Sequence, residues 1–205
     1  MLWLLACTSP VHSDKTTEVP EETTPPDNME CTGSVADQNS LVLHVNWTAP
    51  AAGRSYVVFG ETNDFGQTTP STTDTEVHLS LVGNAAETVI HWRAYTETDT
   101  ETYVCSGETT TGSLPSDLPP LTVTLNETDQ QDASPYLIGM LFSPAAGAQL
   151  VAVRRDGKVV WYHEDKAGAS VDMHYLPDGS GIVYNVFAGG AMGSPKNYLQ
   201  AVTLD

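Results

Sequence analysis

The chain has 205 residues, 40% of them apolar and 8% aromatic, and a formal net charge of −18. The apolar content is enough for packed cores and excludes a wholly disordered protein. Residues 1–149 hold Lys15, Arg54 and Arg93 against twenty carboxylates, which argues against nucleic acid as a partner, since phosphate binding needs clustered Lys and Arg. Residues 150–205 are close to neutral. The acidity fits solubility and extracellular exposure. A calcium-binding role is the weaker alternative, and no cofactor is expected.

Residues 1–7 read Met-Leu-Trp-Leu-Leu-Ala-Cys. Leu4-Leu5-Ala6-Cys7 matches a lipobox, the pattern at which a bacterial lipoprotein is cleaved and its new N-terminal Cys acylated. The expectation is a lipid on Cys7, with the membrane as partner through it. Thr8 stands where an inner-membrane lipoprotein would carry Asp, which points to the outer membrane or cell surface. The apolar run is shorter than an ordinary signal core and has no basic residue before it. Either the true start lies upstream or the match is accidental. Residues 8–29 are rich in Thr, Pro, Glu and Asp, with too little apolar area to offset chain entropy, and read as an extended tether.

Residues 30–112 alternate short β-rich runs with turn residues. Leu41, Leu43, Val45 and Trp47 fall on one face of a strand, with Val42, His44 and Asn46 on the other. Tyr56–Phe59 follows. Val77, Leu79 and Leu81 then alternate with His78 and Ser80, and Val89–Tyr95 and Thr102–Cys105 complete the set. About seven short strands without a helix predict a β-sandwich. His44, His78 and His91 lie on these strands, with no HExxH, CxxC or close carboxylate–His cluster, so ordinary histidines are expected and no metal site. Asn46-Trp-Thr48 and Asn126-Glu-Thr128 match the glycosylation pattern, which matters only in a eukaryotic source.

The stretch His78-Leu-Ser-Leu-Val-Gly83, then Thr88-Val-Ile-His-Trp-Arg93, resembles a fibronectin type III-like domain. Asn84-Ala85-Ala86-Glu87 replaces the usual Pro-containing turn, and Ile90 or Trp92 takes the packing role of the usual Tyr. The three cysteines fit an exported domain. With Cys7 acylated, Cys31 and Cys105 remain as a pair at the two ends of the sandwich, and a disulfide between them is expected. The alternative is two buried thiols in a cytosolic protein.

Residues 113–120, Ser-Leu-Pro-Ser-Asp-Leu-Pro-Pro, read as a linker. Strands are expected at Leu121–Leu125 and, buried on both faces, at Tyr136–Phe142. Leu150–Val153 and Lys158–Tyr162 flank Asp156-Gly157, which predicts a hairpin with a type I′ turn. Neither arm alternates, so both faces should be covered. Asp178-Gly179 repeats the pattern between Val171–Tyr175 and Ile182–Phe187, so the two hairpins together read as one blade of a repeating architecture. Tyr198–Leu204 is a last strand.

Val151-Ala-Val-Arg-Arg-Asp-Gly-Lys-Val-Val-Trp-Tyr162, followed by Leu176-Pro-Asp-Gly179 and Tyr184-Asn185, resembles the opening blade of the bacterial arylsulfotransferase family. The resemblance covers roughly residues 119–205. It implies an all-β chain in which a sandwich precedes the first blade or blades of an incomplete β-propeller over 121–205. A closed propeller needs at least four blades, so the chain is expected to be part of a longer protein, with a short, self-contained sheet domain as the rival. The family reaction moves a sulfuryl group between phenolic compounds through a His. An imidazole is a good nucleophile at neutral pH, and cationic neighbours offset charge on the sulfate oxygens. The candidates are His163, His174, Arg154 and Arg155. The family His stands further upstream of the Leu-Pro-Asp-Gly turn than His174 does, so its role does not transfer. Bland explanations are a strand-end polar residue for His163 and a solvated edge beside the hairpin turn for Arg154-Arg155. The rival function is a non-catalytic surface module that binds protein or glycan.

Overall fold

A computed structural model of the chain describes residues 28–118, 121–122, 136–140, 148–165, 169–177, 180–187 and 196–204. Among these residues thirteen strands form four antiparallel sheets and there is no helix, so the protein is all-β as expected. Cys7, the tether up to Asp27, Asn126, the Asp178-Gly179 turn and the Gly-rich 188–193 lie outside the described residues.

The first seven strands are β1 (Thr32–Val35), β2 (Leu43–Thr48), β3 (Arg54–Gly60), β4 (Gln67–Thr68), β5 (Glu76–Leu81), β6 (Val89–Glu97) and β7 (Thr102–Thr110). They form one sheet in the order β1-β2-β5 and another in the order β4-β3-β6-β7. The period-2 pattern decides what each sheet turns inward. Leu43, Val45 and Trp47 of β2 and Val77 and Leu81 of β5 meet Val57 and Phe59 of β3 and Ile90, Trp92 and Ala94 of β6 in a single core. Each such aliphatic side chain contributes about 1.5–3 kcal/mol by leaving water. Ile90 and Trp92 both pack in this core. Thr96 also points inward. Its hydroxyl accepts from Trp47 Nε1 at 3.0 Å and meets Ser55 Oγ at 3.0 Å, which satisfies all three buried polar groups.

The Cys31 and Cys105 sulfurs lie at disulfide distance, with Cα atoms 6.2 Å apart. Asn28 and Met29 belong to the sandwich rather than the tether. Asn28 N donates to Val104 O at 2.8 Å, its Oδ1 accepts from Val104 N at 2.6 Å, and Met29 packs on the core.

The remaining strands are β8 (Tyr136–Met140), β9 (Ala148–Val153), β10 (Val159–Asp165), β11 (Ala169–Tyr175), β12 (Gly181–Phe187) and β13 (Tyr198–Thr203). They form two three-stranded sheets, β10-β9-β8 and β11-β12-β13. The two expected hairpins therefore lie in different sheets and do not share one blade. Each instead recruits a third strand, β8 or β13. Leu121 and Thr122 are not in a strand.

The turn type also differs from expectation. Gly157 has φ of 85°, but Asp156 does not take positive φ, so this is not a type I′ turn. Gly157 N donates to Arg154 O, and Arg154 N donates to Lys158 O, both at 2.8 Å. This is a three-residue loop with left-handed Gly last, the next most common hairpin connection. The Asp156 carboxylate stabilises it by accepting from Lys158 N at 3.2 Å.

The hairpin is buried on both faces, as its lack of alternation implied. Leu150 and Ala152 face one cluster, together with Val160, Trp161 and Tyr184. Val151, Val153 and Val159 face another. The register slips between Val159 and Trp161, a bulge that places Val160 and Trp161 in the same cluster.

The sandwich closes both clusters. Leu41 and Val42 are each 0% exposed, and they enter different clusters, Leu41 beside Val151 and Val42 beside Leu150. Neither belongs to β2, contrary to the strand expected from Leu41 onward. A turn lifts them out, with Val42 N donating to Asn39 O at 3.0 Å. Asn39 Oδ1 accepts from Leu41 N, and Asn84 Nδ2 donates to Leu41 O at 3.2 Å. Leu114 and Leu118 of the linker also pack on the Leu41 cluster.

Truncation of Leu41 opens a cavity between the sandwich and the hairpin. Leu41→Ala is expected to lower stability by about 2–5 kcal/mol, read from urea unfolding. A loss below about 0.5 kcal/mol, the range of ordinary surface substitutions, would contradict this packing.

Candidate functional site

His163 and His174 are not brought together. His163 lies within β10 opposite Leu150. Its ring stacks on Trp161, with centroids 6.0 Å apart and planes at 14°, and meets Tyr184 of β12 at 6.2 Å. His174 is on β11, where a bulge puts Asp172 at φ of 54°. There His174 Nε2 lies 3.1 Å from Asp172 Oδ1, and Asn185 Nδ2 donates to Asp172 Oδ2 at 3.2 Å. Asn185 and Tyr184 are neighbours in one strand, so they point to opposite faces of the sheet. Each histidine therefore serves a different face.

His163 lines a cleft of about 340 Å³ where sandwich, linker and second segment meet. Its walls include Asn39, Asp117, Tyr162, Glu164 and Thr203. Tyr162 braces the junction: its hydroxyl accepts from Ser40 N at 3.0 Å, and its carbonyl accepts from Asn39 Nδ2 at 3.0 Å. Among the described residues the cleft is lined by two carboxylates and no Lys or Arg. An aryl sulfate carries negative charge on its oxygens, so the sign is wrong for sulfuryl transfer. The His174 group has the same defect, because its neighbour is Asp172. It is also open to water, with His174 and Asp172 side chains 69% and 67% exposed.

The two candidate arginines do other work. Arg154 is part-exposed beside the turn and ion-paired. It donates to Asp156 Oδ2 at 2.7 Å and, across the junction, to Glu61 Oε1 at 2.6 Å. Hydrogen bonding to Asp156 raises the Arg154 pKa further, against the opposing effect of burial. The Arg154 guanidinium in turn holds the Asp156 carboxyl below its ordinary 3.8. Arg155 is half-buried in the turn, at the far end of the hairpin from His163, and its Nε is shielded from water without a partner.

The sandwich histidines lie on two outer faces. His44 Nδ1 meets Ser80 Oγ at 3.2 Å and His78 Nδ1 meets Asn46 Oδ1 at 2.8 Å, both on the β1-β2-β5 sheet. His91 pairs with Glu108 at 2.9 Å on the other sheet. Among the described residues no group of three metal-capable side chains converges. Asn46 of the glycosylation-type triplet is half-buried on β2 and engaged by His78.

Sequence reasoning assigned no role to the outer face of the β4-β3-β6-β7 sheet. Tyr56 and Tyr95 stack there at 5.1 Å and 16°, and Arg54 lies 4.6 Å over Tyr56. The Tyr56 hydroxyl donates to Glu97 at 2.7 Å. Burial, reinforced by that bond, pushes its pKa up to about 12. The available signal was parity: Arg54 and Tyr56 share one strand face, and Arg93 and Tyr95 share another.

No family model, curated protein or solved structure matches this chain.

Asp156 binds its proton less tightly folded than unfolded. Its pair with Arg154 therefore stabilises fully above the ordinary carboxyl value and fades as pH falls through the depressed one. Asp156→Asn should cost no more than about 1 kcal/mol at neutral pH, because the side chains are part-exposed. That cost should be smaller at a pH below the ordinary carboxyl value. Urea midpoints of both proteins at the two pH values provide the check, and an equal gap at both would refute it.

Proposed function

We propose that this chain is the membrane-proximal presenting part of an exported, lipid-anchored arylsulfotransferase-like protein, and that its own residues transfer no sulfuryl group. Cys7 takes the lipid and the acidic tether sets the distance from the membrane. A fibronectin type III-like sandwich then holds the first strands of a propeller. Seven strands in two facing sheets fit that sandwich class. Sulfurs at disulfide distance in Cys31 and Cys105 fit an oxidising compartment outside the cytosol. Two successive antiparallel meanders fit the start of a repeated blade.

The separation of His163 from His174, each beside carboxylates, carries the non-catalytic part of this conclusion. The phenolic substrate of the full-length parent would be handled by residues outside this set. In the full-length gene product, His163→Ala and His174→Ala should leave transfer from a chromogenic aryl sulfate to phenol within about twofold. A loss of about a thousandfold or more, as when a nucleophile is removed, would overturn the conclusion. Labelled fatty acid should enter the wild-type protein in cells and be absent from Cys7→Ala. Label retained by that variant would rule out the anchor.

A second reading, a surface binding module without an enzyme, draws on the aromatic and cationic face of the sandwich.

A further inference from the structure

The chain changes sheets as it enters the sandwich. Asn28 and Met29 lie along β7. Their backbone N–H groups both donate to Val104 O, at 2.8 and 3.2 Å, and Asn28 Oδ1 accepts from Val104 N at 2.6 Å. Soon after, β1 pairs with β2 of the other sheet, from Thr32 opposite Asn46 to Val35 opposite Leu43. The crossing is held at Cys31, whose sulfur is linked to that of Cys105 on β7. β1 and β7 are both edge strands, so the link clips the edge of one sheet to the edge of the other.

Little else holds β1. It has one neighbour, β2, and its four side chains are all exposed. The core is built from β2, β3, β5, β6 and β7, and only Met29 and Cys31 pack against it from the entering segment. Gly33 lies close over the edge of the Trp92 ring, where a Cβ would meet Cζ2 at 2.7 Å. β1 is thus a cover on the core and not a part of it. An edge strand that buries no side chain opens locally at small cost. The link is also within reach of solvent. It borders an open depression of about 680 Å³, lined also by Glu30, Asn46, Trp47 and Pro50. Cys31 is half-buried there, while Cys105 is 3% exposed.

We propose that the Cys31–Cys105 link is a latch that a dithiol opens, freeing residues 28–35 while the sandwich core stays folded. One thiolate of the dithiol attacks Cys31 Sγ, and Cys105 leaves as thiolate. The second thiolate then attacks the mixed disulfide. The reagent departs as its own disulfide, and its two electrons leave both cysteines reduced. The freed segment adds eight residues to the chain before it, about 26 Å of reach when extended. The latch rests on the sandwich alone and stands whether or not Cys7 carries a lipid.

Hydrogen exchange of the full chain, oxidised and in excess dithiothreitol, tests this, with alkylation counting the thiols gained. Reduction should speed the amides of Val104 and of the β1–β2 ladder at least about tenfold more than those of Ile90 and Ala94. A disulfide that acts only by constraining the unfolded chain speeds them all by one factor, and that result would overturn the proposal. So would a link that dithiothreitol leaves intact in the folded chain, unchanged exchange in β1, or loss of protection throughout the core. The C31S/C105S chain should show the same selective speeding without reductant, and uniform speeding there would contradict the latch. Reduction needs no variant, so it decides the matter even if that chain misfolds.

Discussion

The structure depends on two consecutive residues that leave a strand to fill two different cores. Leu41 and Val42 stand just before β2, and each is fully buried against the Leu150–Trp161 hairpin, on its opposite sides. A hairpin with four successive buried residues, Leu150 to Val153, has no solvent face. It must be covered twice. On one side β12 supplies Ile182, Tyr184 and Val186 with Val42. On the other, Leu41 and the linker leucines 114 and 118 do so. The polar groups at this crossing are matched as well, through Asn39, Ser40, Asn84 and Tyr162. The linker is thus part of the packing and not a free spacer between independent parts.

Sign of charge separates what each region can do. The junction cleft and the His174 group present carboxylates, and neither suits a sulfate ester. Arg154, which could have supplied the opposite sign, instead ties Asp156 to Glu61 across the junction. Arg93, on the sandwich, makes no ion pair among the described residues and is far along the chain from both candidate histidines.

Much of the fold was legible because alternation is local. Ile90, Trp92 and Ala94, or Val77 and Leu81, announce their inward face within a few residues. The hairpin also announced that it is buried on both sides. What escaped depends on partners more than a hundred positions away. Val42 sits at a polar-face parity, yet the second segment buries it completely. The strands β1 and β4 are exposed along their length and carry no apolar signal. The turn at Gly157 was misread because Asp-Gly serves two loop types, and the hydrogen bonds of Arg154 decide between them. Candidate site residues were legible as types only. Nothing local reveals that His163 and His174 lie on different faces.

The central physical claim is that sandwich and hairpin open as one unit. Native-state hydrogen exchange of the full chain tests it most directly, because it assigns an opening free energy to each amide. The slowest amides of β6, near Ile90 and Ala94, should share one opening free energy with those of Val151 and Trp161. A hairpin that exchanges through its own opening, well below that of the sandwich core, would contradict the claim and make the second segment an independently opening appendage.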